Sequence, residues 1–221
     1  MIDQNKIPCV VGSTGLVGSH LISILSKIYP KVISITRVKK NYSSSSVKNV
    51  IIDFDDINNE DIFNKNNHLY IALGTTRKKA GSDQNFIKVD YDYCMDLANK
   101  ALLSGVKRVS IISSVGSNPD SNLLYPRTKG LLEKELSKLP FEHISVMKPS
   151  LILGVRKETR IAEKMAKFLF TLINPFLFGG LMKYKSIHAR DIAKAMVYQI
   201  INGNDSFNQL EYKELMKCSK K

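Results

Sequence analysis

Hydrophobic positions follow two alternating rhythms from Ile7 to about Met147. Short apolar, β-branched runs at Ile7–Val11, Lys31–Thr36, Val50–Asp53, His68–Leu73, Val109–Ser113 and His143–Met147 predict strands. Between them, apolar residues recur three or four apart over Leu16–Ile28, Asn85–Ser104 and Pro126–Lys138, which predicts helices. In the second of these, Phe86, Val89, Tyr93, Leu97 and Ala101 form the apolar stripe. Strands that read as continuous apolar runs are buried on both faces, and regular strand–helix alternation gives a parallel sheet with helices on both sides. The fold class predicted is therefore α/β, a doubly wound parallel sheet.

After Lys148-Pro149 the rhythm changes. Thr159–Phe178 reads as an apolar helix with a proline break, and Arg190–Ile201 as a further helix. So short a remainder does not make a second domain of ordinary size, so residues 1–221 are expected to form one domain. Within it, residues 150–187 should act as a cap or substrate-binding segment over the carboxyl edge of the sheet, where open α/β sheets bind ligands. Asn41–Ser46 reads as a loop, and the charged tail Glu211–Lys221 is expected to fray.

Composition narrows the class. With 43% hydrophobic and 24% charged residues the chain has an ordinary globular balance. The formal charge of +13 favours anionic partners without choosing among them. No nucleic-acid-binding module or aromatic interleaving accompanies the lysines, so no nucleic acid is expected. The cysteines Cys9, Cys94 and Cys218 are far apart, and the histidines lack ligand spacing, so neither a disulfide framework nor a metal site is expected. The polar start MIDQNK reads as neither a secretory nor a transit signal, which makes the cytoplasm the expected location. The most apolar stretch, Met165–Met182, is interrupted by Lys167, Asn174, Pro175 and Gly179-Gly180, so no transmembrane span is expected.

The first candidate chemistry lies straight after the first strand. GSTGLVG places Gly12, Gly15 and Gly18 three apart at the mouth of a helix. Glycine at the first position permits the tight turn, at the second the approach of a pyrophosphate, and at the third close packing of helix on strand. Gly12, Ser13, Thr14, Gly15, Leu16, Val17 and Gly18 are accordingly candidates for dinucleotide binding. Where a carboxylate would hold a ribose 2′-hydroxyl at the end of the second strand, this chain has Thr36-Arg37, followed by Lys39 and Lys40. A guanidinium there suits a 2′-phosphate, so NADP(H) is expected over NAD(H); the alternative is that Arg37 is a solvated surface charge.

The second candidate is a serine, tyrosine and lysine group. Tyr125 is the only tyrosine with a lysine, Lys129, four residues later. The pair follows the strand end IISSVGS and opens a helix, which should set it at the carboxyl edge near the glycine turn. Positions i and i+4 share a helix face, so the Lys129 ammonium would lower a phenol pKa that starts near ~10 and make Tyr125 a usable acid or base. Ser114, or its neighbour Ser113, would donate a hydrogen bond to a substrate oxygen. The competing readings are strand-end turn serines and a half-buried packing tyrosine. Pro126 disfavours helical geometry at Tyr125 and so loosens the shared-face argument. Arg77-Lys78-Lys79 beside Gly81 reads as a basic loop that closes over phosphate or is simply solvated.

GSTGLVG, the strand-end serine pair and YPRTK, in that order, resemble the short-chain dehydrogenase/reductase superfamily. ALGTTRKKAGSDQNFIKVDYDY, VKRVSIISSVGSN and LYPRTKGLLEKEL further resemble its atypical Tat-interacting-protein oxidoreductase subgroup. The resemblance implies a Rossmann fold that binds NADP(H), with the three glycines at the pyrophosphate and Arg37 at the adenosine phosphate. It also implies Asp53 and Phe54 near adenine, Leu73, Gly74 and Thr75 beside the cofactor ribose, and Pro149 flanking the nicotinamide. Ser114, Tyr125 and Lys129 would be catalytic, Tyr125 and Lys129 also touching the cofactor. A homodimer through the helices after the fourth and fifth strands is suggested in the same way. Two functions stay open: an oxidoreductase acting on a small-molecule carbonyl or alcohol, and an NADP(H)-binding regulatory or scaffold protein without chemistry.

Overall fold

In the computed structural model, which describes residues 2–57, 61–154 and 177–221, seven strands form one parallel sheet. They are β1 (Ile7–Val11), β2 (Val32–Thr36), β3 (Val47–Ile51), β4 (Asn67–Ile71), β5 (Arg108–Ile112), β6 (His143–Met147) and β9 (Phe207–Leu210). Their spatial order is β3-β2-β1-β4-β5-β6-β9. The chain therefore steps one way from β1 to β3, then restarts on the other side of β1 with β4. In open α/β sheets such a reversal, here beyond the carboxyl ends of β1 and β4, is where ligands bind.

Side chains alternate across the sheet, and both faces are covered. Cys9, Val11, Leu69, Ile71, Val109, Ile111, Ile144 and Val146 pack with α3 (Asp83–Ile87), α4 (Tyr93–Leu103) and α5 (Leu124–Leu136) in the neighbourhood of one face. Val10, Tyr70 and Met147 point the other way, against α1 (Leu16–Leu25), α6 (Ala189–Asn202) and α7 (Tyr212–Ser219). This is the doubly wound arrangement that the apolar runs predict.

Three local readings are corrected. The strand expected at Val50–Asp53 is β3, Val47–Ile51, a half-buried edge strand whose Asn49 donates to the Ser34 carbonyl and to Thr36. Its polar residues serve the edge, so the apolar run alone misplaces it. The helix expected over Asn85–Ser104 contains a π-helical turn, Lys88–Asp92. That extra residue rotates the buried stripe to Phe86, Asp90, Cys94, Leu97 and Ala101, leaving Val89 and Tyr93 only partly buried. The tail does not fray: β9 joins the sheet edge beside β6, and α7 buries Leu215 and Cys218, with the Gln199 amide donating to the Cys218 sulfur.

Of the expected cap segment, 150–154 and 177–187 are described. They meet in a short parallel pair, β7 (Ile152–Leu153) with β8 (Ile187–His188), and a 3₁₀ turn covers Gly179–Tyr184. The helix expected at Thr159–Phe178 lies outside the described residues up to 176. Among the described residues no helix is long and apolar enough to cross a membrane.

At the amino ends of the central strands, His68, Arg108 and His143 lie side by side, by the register of Leu69 on Val109 and of Arg108 on His143. Burial pushes the His68 imidazole down to about 4, and the Lys6 and Arg108 charges reinforce it. Burial also lowers His143, against the opposing hydrogen bond to the Asp205 carbonyl. A histidine whose folded pKa lies below its unfolded value of about 6.5 stabilises the fold fully above that pH and loses the contribution as pH falls. Unfolding free energy should therefore drop by roughly 3 kcal/mol for His68 alone between pH 7 and pH 4, the shift being about 2.5 pH units. Urea melts across that window check it, and His68→Leu should flatten the slope; an unchanged slope would refute the assignment.

Candidate active site

Parallel strands all end on the same edge, and the candidate residues follow those ends in sheet order. Gly12 follows β1, Arg37 β2, Asp53 β3, Leu73–Thr75 β4, Ser113 and Ser114 β5, and Pro149 β6.

The glycine turn is built by steric exclusion. Gly12 has φ +78°, and a Cβ there would lie 2.4 Å from the Ala72 carbonyl oxygen at the end of β4. A Cβ on Gly18 would lie 2.1 Å from the Gly12 carbonyl oxygen, so α1 rests directly on the turn. Gly15 is the N-cap of α1, with no side-chain cap and no acidic residue in the first turn. The first amides of α1 thus carry the helix's positive end into an exposed glycine turn. That cradle fits a pyrophosphate, and a side chain at Gly12 or Gly18 would force its backbone apart. Within it, Thr14 is exposed, Leu16 half-buried and Val17 in the core. Ser13 is buried, its hydroxyl bonded to Ser34 at 2.8 Å and to Tyr42 at 3.0 Å, so its side chain faces away from the exposed side of the turn.

Arg37 is exposed just past the end of β2. Lys88 lies 2.7 Å from Asp55, and hydrogen bonds from Lys88 and Tyr93 hold the Asp55 carboxyl below its usual range, Arg37 adding a smaller pull. Asp53 is exposed and accepts the Asp55 amide at 2.9 Å. Phe54 is buried against the Tyr93 ring, 5.3 Å between centroids, so its ring belongs to the core and only its backbone faces the edge. The expected basic loop Arg77-Lys78-Lys79 is instead a single turn, α2 (Arg77–Ala80), capped by Thr76 and ended by Gly81 at φ +80°. Its Arg77 forks onto the Asp83 carboxylate.

Pro126 does not exclude Tyr125 from α5. The helix begins at Leu124, so the proline lies in the first turn, where a missing N–H breaks no intrahelical bond. Tyr125 is 42% exposed and leans on the buried Phe86, with 5.9 Å between ring centroids. One turn on, Lys129 is only 3% exposed. Its ammonium lies 2.7 Å from Asp90, whose other oxygen accepts the Thr75 amide at 2.7 Å. Burial pulls the Lys129 pKa down, but the charge of Asp90, with Cys94 and Tyr125, outweighs it and keeps the ammonium charged. The two strand-end serines differ sharply: Ser113 is buried and donates to Glu133, while Ser114 is half-buried and reaches the Val115 carbonyl at 3.2 Å.

Asp90, Glu133 and Lys148 escaped the sequence reading. Glu133 accepts from Ser113, from Ser117 at 2.6 Å and from Lys148 at 2.9 Å, and Gln209 of β9 completes the cluster. The signal for Glu133 was present: Tyr125, Lys129 and Glu133 recur at four-residue spacing on one helix face. Asp90 gave none, because only the π turn brings it inward.

The chain matches the NAD dependent epimerase/dehydratase family over residues 9–209. It belongs to that family. It is 33% identical to Protein FMP52, mitochondrial, of Candida albicans over 196 residues, 85% of each chain. It is 29% identical to Protein HTATIP2 of Rattus norvegicus over 224 residues, 98% of this chain and 90% of the relative. Among solved structures it resembles a UDP-N-acetylglucosamine 4-epimerase from Methanobrevibacter ruminantium, with TM-score 0.71 at 17% identity, covering 95% of this chain and 77% of the other. MoeE5 in complex with UDP-glucose and NAD superposes with TM-score 0.65 at 12% identity, covering 96% and 80%. The family read from the motifs stands, and with it a nicotinamide dinucleotide as cofactor. The cytoplasmic expectation does not: relatives from several fungi carry the designation mitochondrial, against which the polar start MIDQNK has no weight.

Because the Gly18 Cα sits on the Gly12 carbonyl, Gly18→Ala should displace the turn. Overpacking of this kind costs about 1–3 kcal/mol, and dinucleotide affinity should fall at least about tenfold with the cradle's geometry. Gly180→Ala, with no described residue within 4 Å of its Cβ, should leave both unchanged. Thermal melts and fluorescence titration with NADPH separate the two outcomes.

Proposed function

We propose that this protein is an NADP(H)-dependent oxidoreductase acting on a small-molecule carbonyl or alcohol. The observation that carries the proposal is the pairing of an accessible phenol, Tyr125, with a buried, charged lysine, Lys129, at the sheet edge where the glycine turn opens.

The exposed backbone of the turn from Gly12 to Gly18 holds the pyrophosphate, and Arg37 and the lysines after it receive the 2′-phosphate. Asp53 and the Phe54 backbone border the adenine, Leu73, Gly74 and Thr75 the ribose, and Pro149 the nicotinamide. When bound, the nicotinamide supplies or accepts the hydride at the substrate carbon. In the reducing direction Tyr125 gives its phenolic proton to the carbonyl oxygen, so that hydride and proton together yield the alcohol. Lys129, kept charged by Asp90, places positive charge beside the phenolate that forms. Ser114, whose hydroxyl is not held by Glu133 as that of Ser113 is, donates a hydrogen bond to the substrate oxygen. Of the segment 150–187, the described residues 150–154 and 177–187 would border the substrate, and a homodimer would use α4 and α5, which expose Leu103 and Leu131.

NADPH oxidation against aldehydes, ketones and quinones tests the activity. Tyr125→Phe should lower turnover by about 10²- to 10⁴-fold while leaving NADPH affinity unchanged; full turnover in the variant would remove Tyr125 from the mechanism. Cofactor choice has its own test. Arg37→Ala should weaken NADPH at least about tenfold and leave NADH unaffected, as loss of a charge-assisted phosphate contact requires, and equal affinities for the two in the unaltered protein would overturn the preference.

A second reading is an NADP(H)-binding regulatory or scaffold protein. The feature favouring it is the closeness of Asp90, which already balances the Lys129 charge at 2.7 Å. It predicts tight NADPH binding with no turnover on the same panel.

A further inference from the structure

The inward stripe of α5 does not end at Lys129. Glu133, one turn further on, is 6% exposed and stands in a cluster of five polar side chains where the ends of β5, β6 and β9 converge. One of its oxygens accepts both Ser113 and Ser117. The other accepts Lys148 at 2.9 Å and Gln209 at 3.3 Å, and Lys148 also reaches the Gln209 oxygen at 3.2 Å.

A carboxylate and an ammonium removed from water persist only when paired and fully hydrogen-bonded, which fixes their geometry. Here the pair is anchored on both sides: Lys148 follows β6 and its amide bonds the Leu210 carbonyl at 2.8 Å, and Glu133 is in the last turn of α5, where its carbonyl accepts the Ser137 amide. The two serines held by this carboxylate flank Ser114, one residue before it and three after. Backbone bonds reinforce the grip, with the Ser113 amide on the Met147 carbonyl at 2.8 Å and the Val115 amide on the Pro149 carbonyl at 3.0 Å. Val115 and Pro149 thus tie the Ser114 segment to the residue placed at the nicotinamide.

We propose that Glu133, locked by Lys148 and Gln209, is a positioning residue that fixes the Ser113–Ser117 segment and thereby the Ser114 hydroxyl against Tyr125. The catalytic part of this statement rests on the oxidoreductase reading; the mechanical part does not. One helix then carries the proton donor, the cation beside it and the anchor of the hydrogen-bond donor.

Removing Glu133 alone leaves Lys148 buried without its counterion, and that variant can fail to fold. The test therefore uses Glu133→Met combined with Lys148→Met, which removes the oxygen that both serines bond and leaves no unpaired buried charge. Amide hydrogen exchange on the full chain should show protection at Val115 and Ser117 falling at least about tenfold, with Val10 and Tyr70 in the central strands unchanged. With a carbonyl substrate in hand, kcat should fall at least about tenfold and NADPH affinity stay the same. Ser114→Ala should cost less on this background than in the unaltered protein, because the two changes act on one hydroxyl. Unaltered exchange at Val115 and Ser117 would overturn the proposal, as would additive losses in the cycle. If the unaltered protein turns over nothing, the oxidoreductase reading fails, and the exchange result still decides the mechanical claim.

Discussion

The approach of α1 to the end of β1 governs what the rest of the molecule can do. Gly18 lies so close to the Gly12 carbonyl that no side chain fits between them, and Gly12 itself is pressed against Ala72 at the end of β4. Helix, first strand and fourth strand therefore meet at one point, which is also where the order of the sheet reverses. Because the strands are parallel, every other carboxyl end is delivered to that same edge by register alone. A ligand bound on the turn lies within reach of loops from six strands, and chemistry is added by placing residues just past strand ends.

Helix α5 is the second organising element, and its role is electrostatic. Lys129 and Glu133 are both buried, of opposite sign and one turn apart, yet each takes its partner from elsewhere: Asp90 from the π turn before α4, and Lys148 from the end of β6. Charges buried this deeply are weak contributors to stability compared with apolar packing, since desolvation offsets most of the attraction. What they supply is direction. Asp90 ties Lys129 to the Thr75 amide in the loop after β4, and Glu133 ties the loop after β5 to β6 and β9. The helix is thus oriented from both sides, and Tyr125 at its exposed end inherits that orientation.

Much of the architecture was legible because buried parallel strands leave long apolar runs. The run His143–Met147 coincides with β6, and Ile7–Val11 with β1. Legibility failed where a strand or helix is only half apolar. Strand β3 carries Lys48 and Asn49, β9 reads Phe-Asn-Gln-Leu, and α7 is mostly polar with buried Leu215 and Cys218. Such edge elements are held by register and by docking onto neighbours already in place, neither of which leaves a periodic trace in the chain.

The site divides along the same line. Residues identifiable by a local rule, the glycines by spacing and Tyr125 with Lys129 by helical repeat, respectively follow β1 and lie in the first two turns of α5. Asp90 and Lys148, whose role is to satisfy a buried partner, were invisible, because need for a partner is a property of the folded neighbourhood. Asp90 lies 39 positions before Lys129 in the chain and becomes its counterion only through one extra residue in a helical turn. The choice between Ser113 and Ser114 has the same origin. Adjacent residues at a strand end face opposite ways, and which one is left available depends on which meets Glu133. Ser113 does, so the hydroxyl that the carboxylate leaves unheld is that of Ser114.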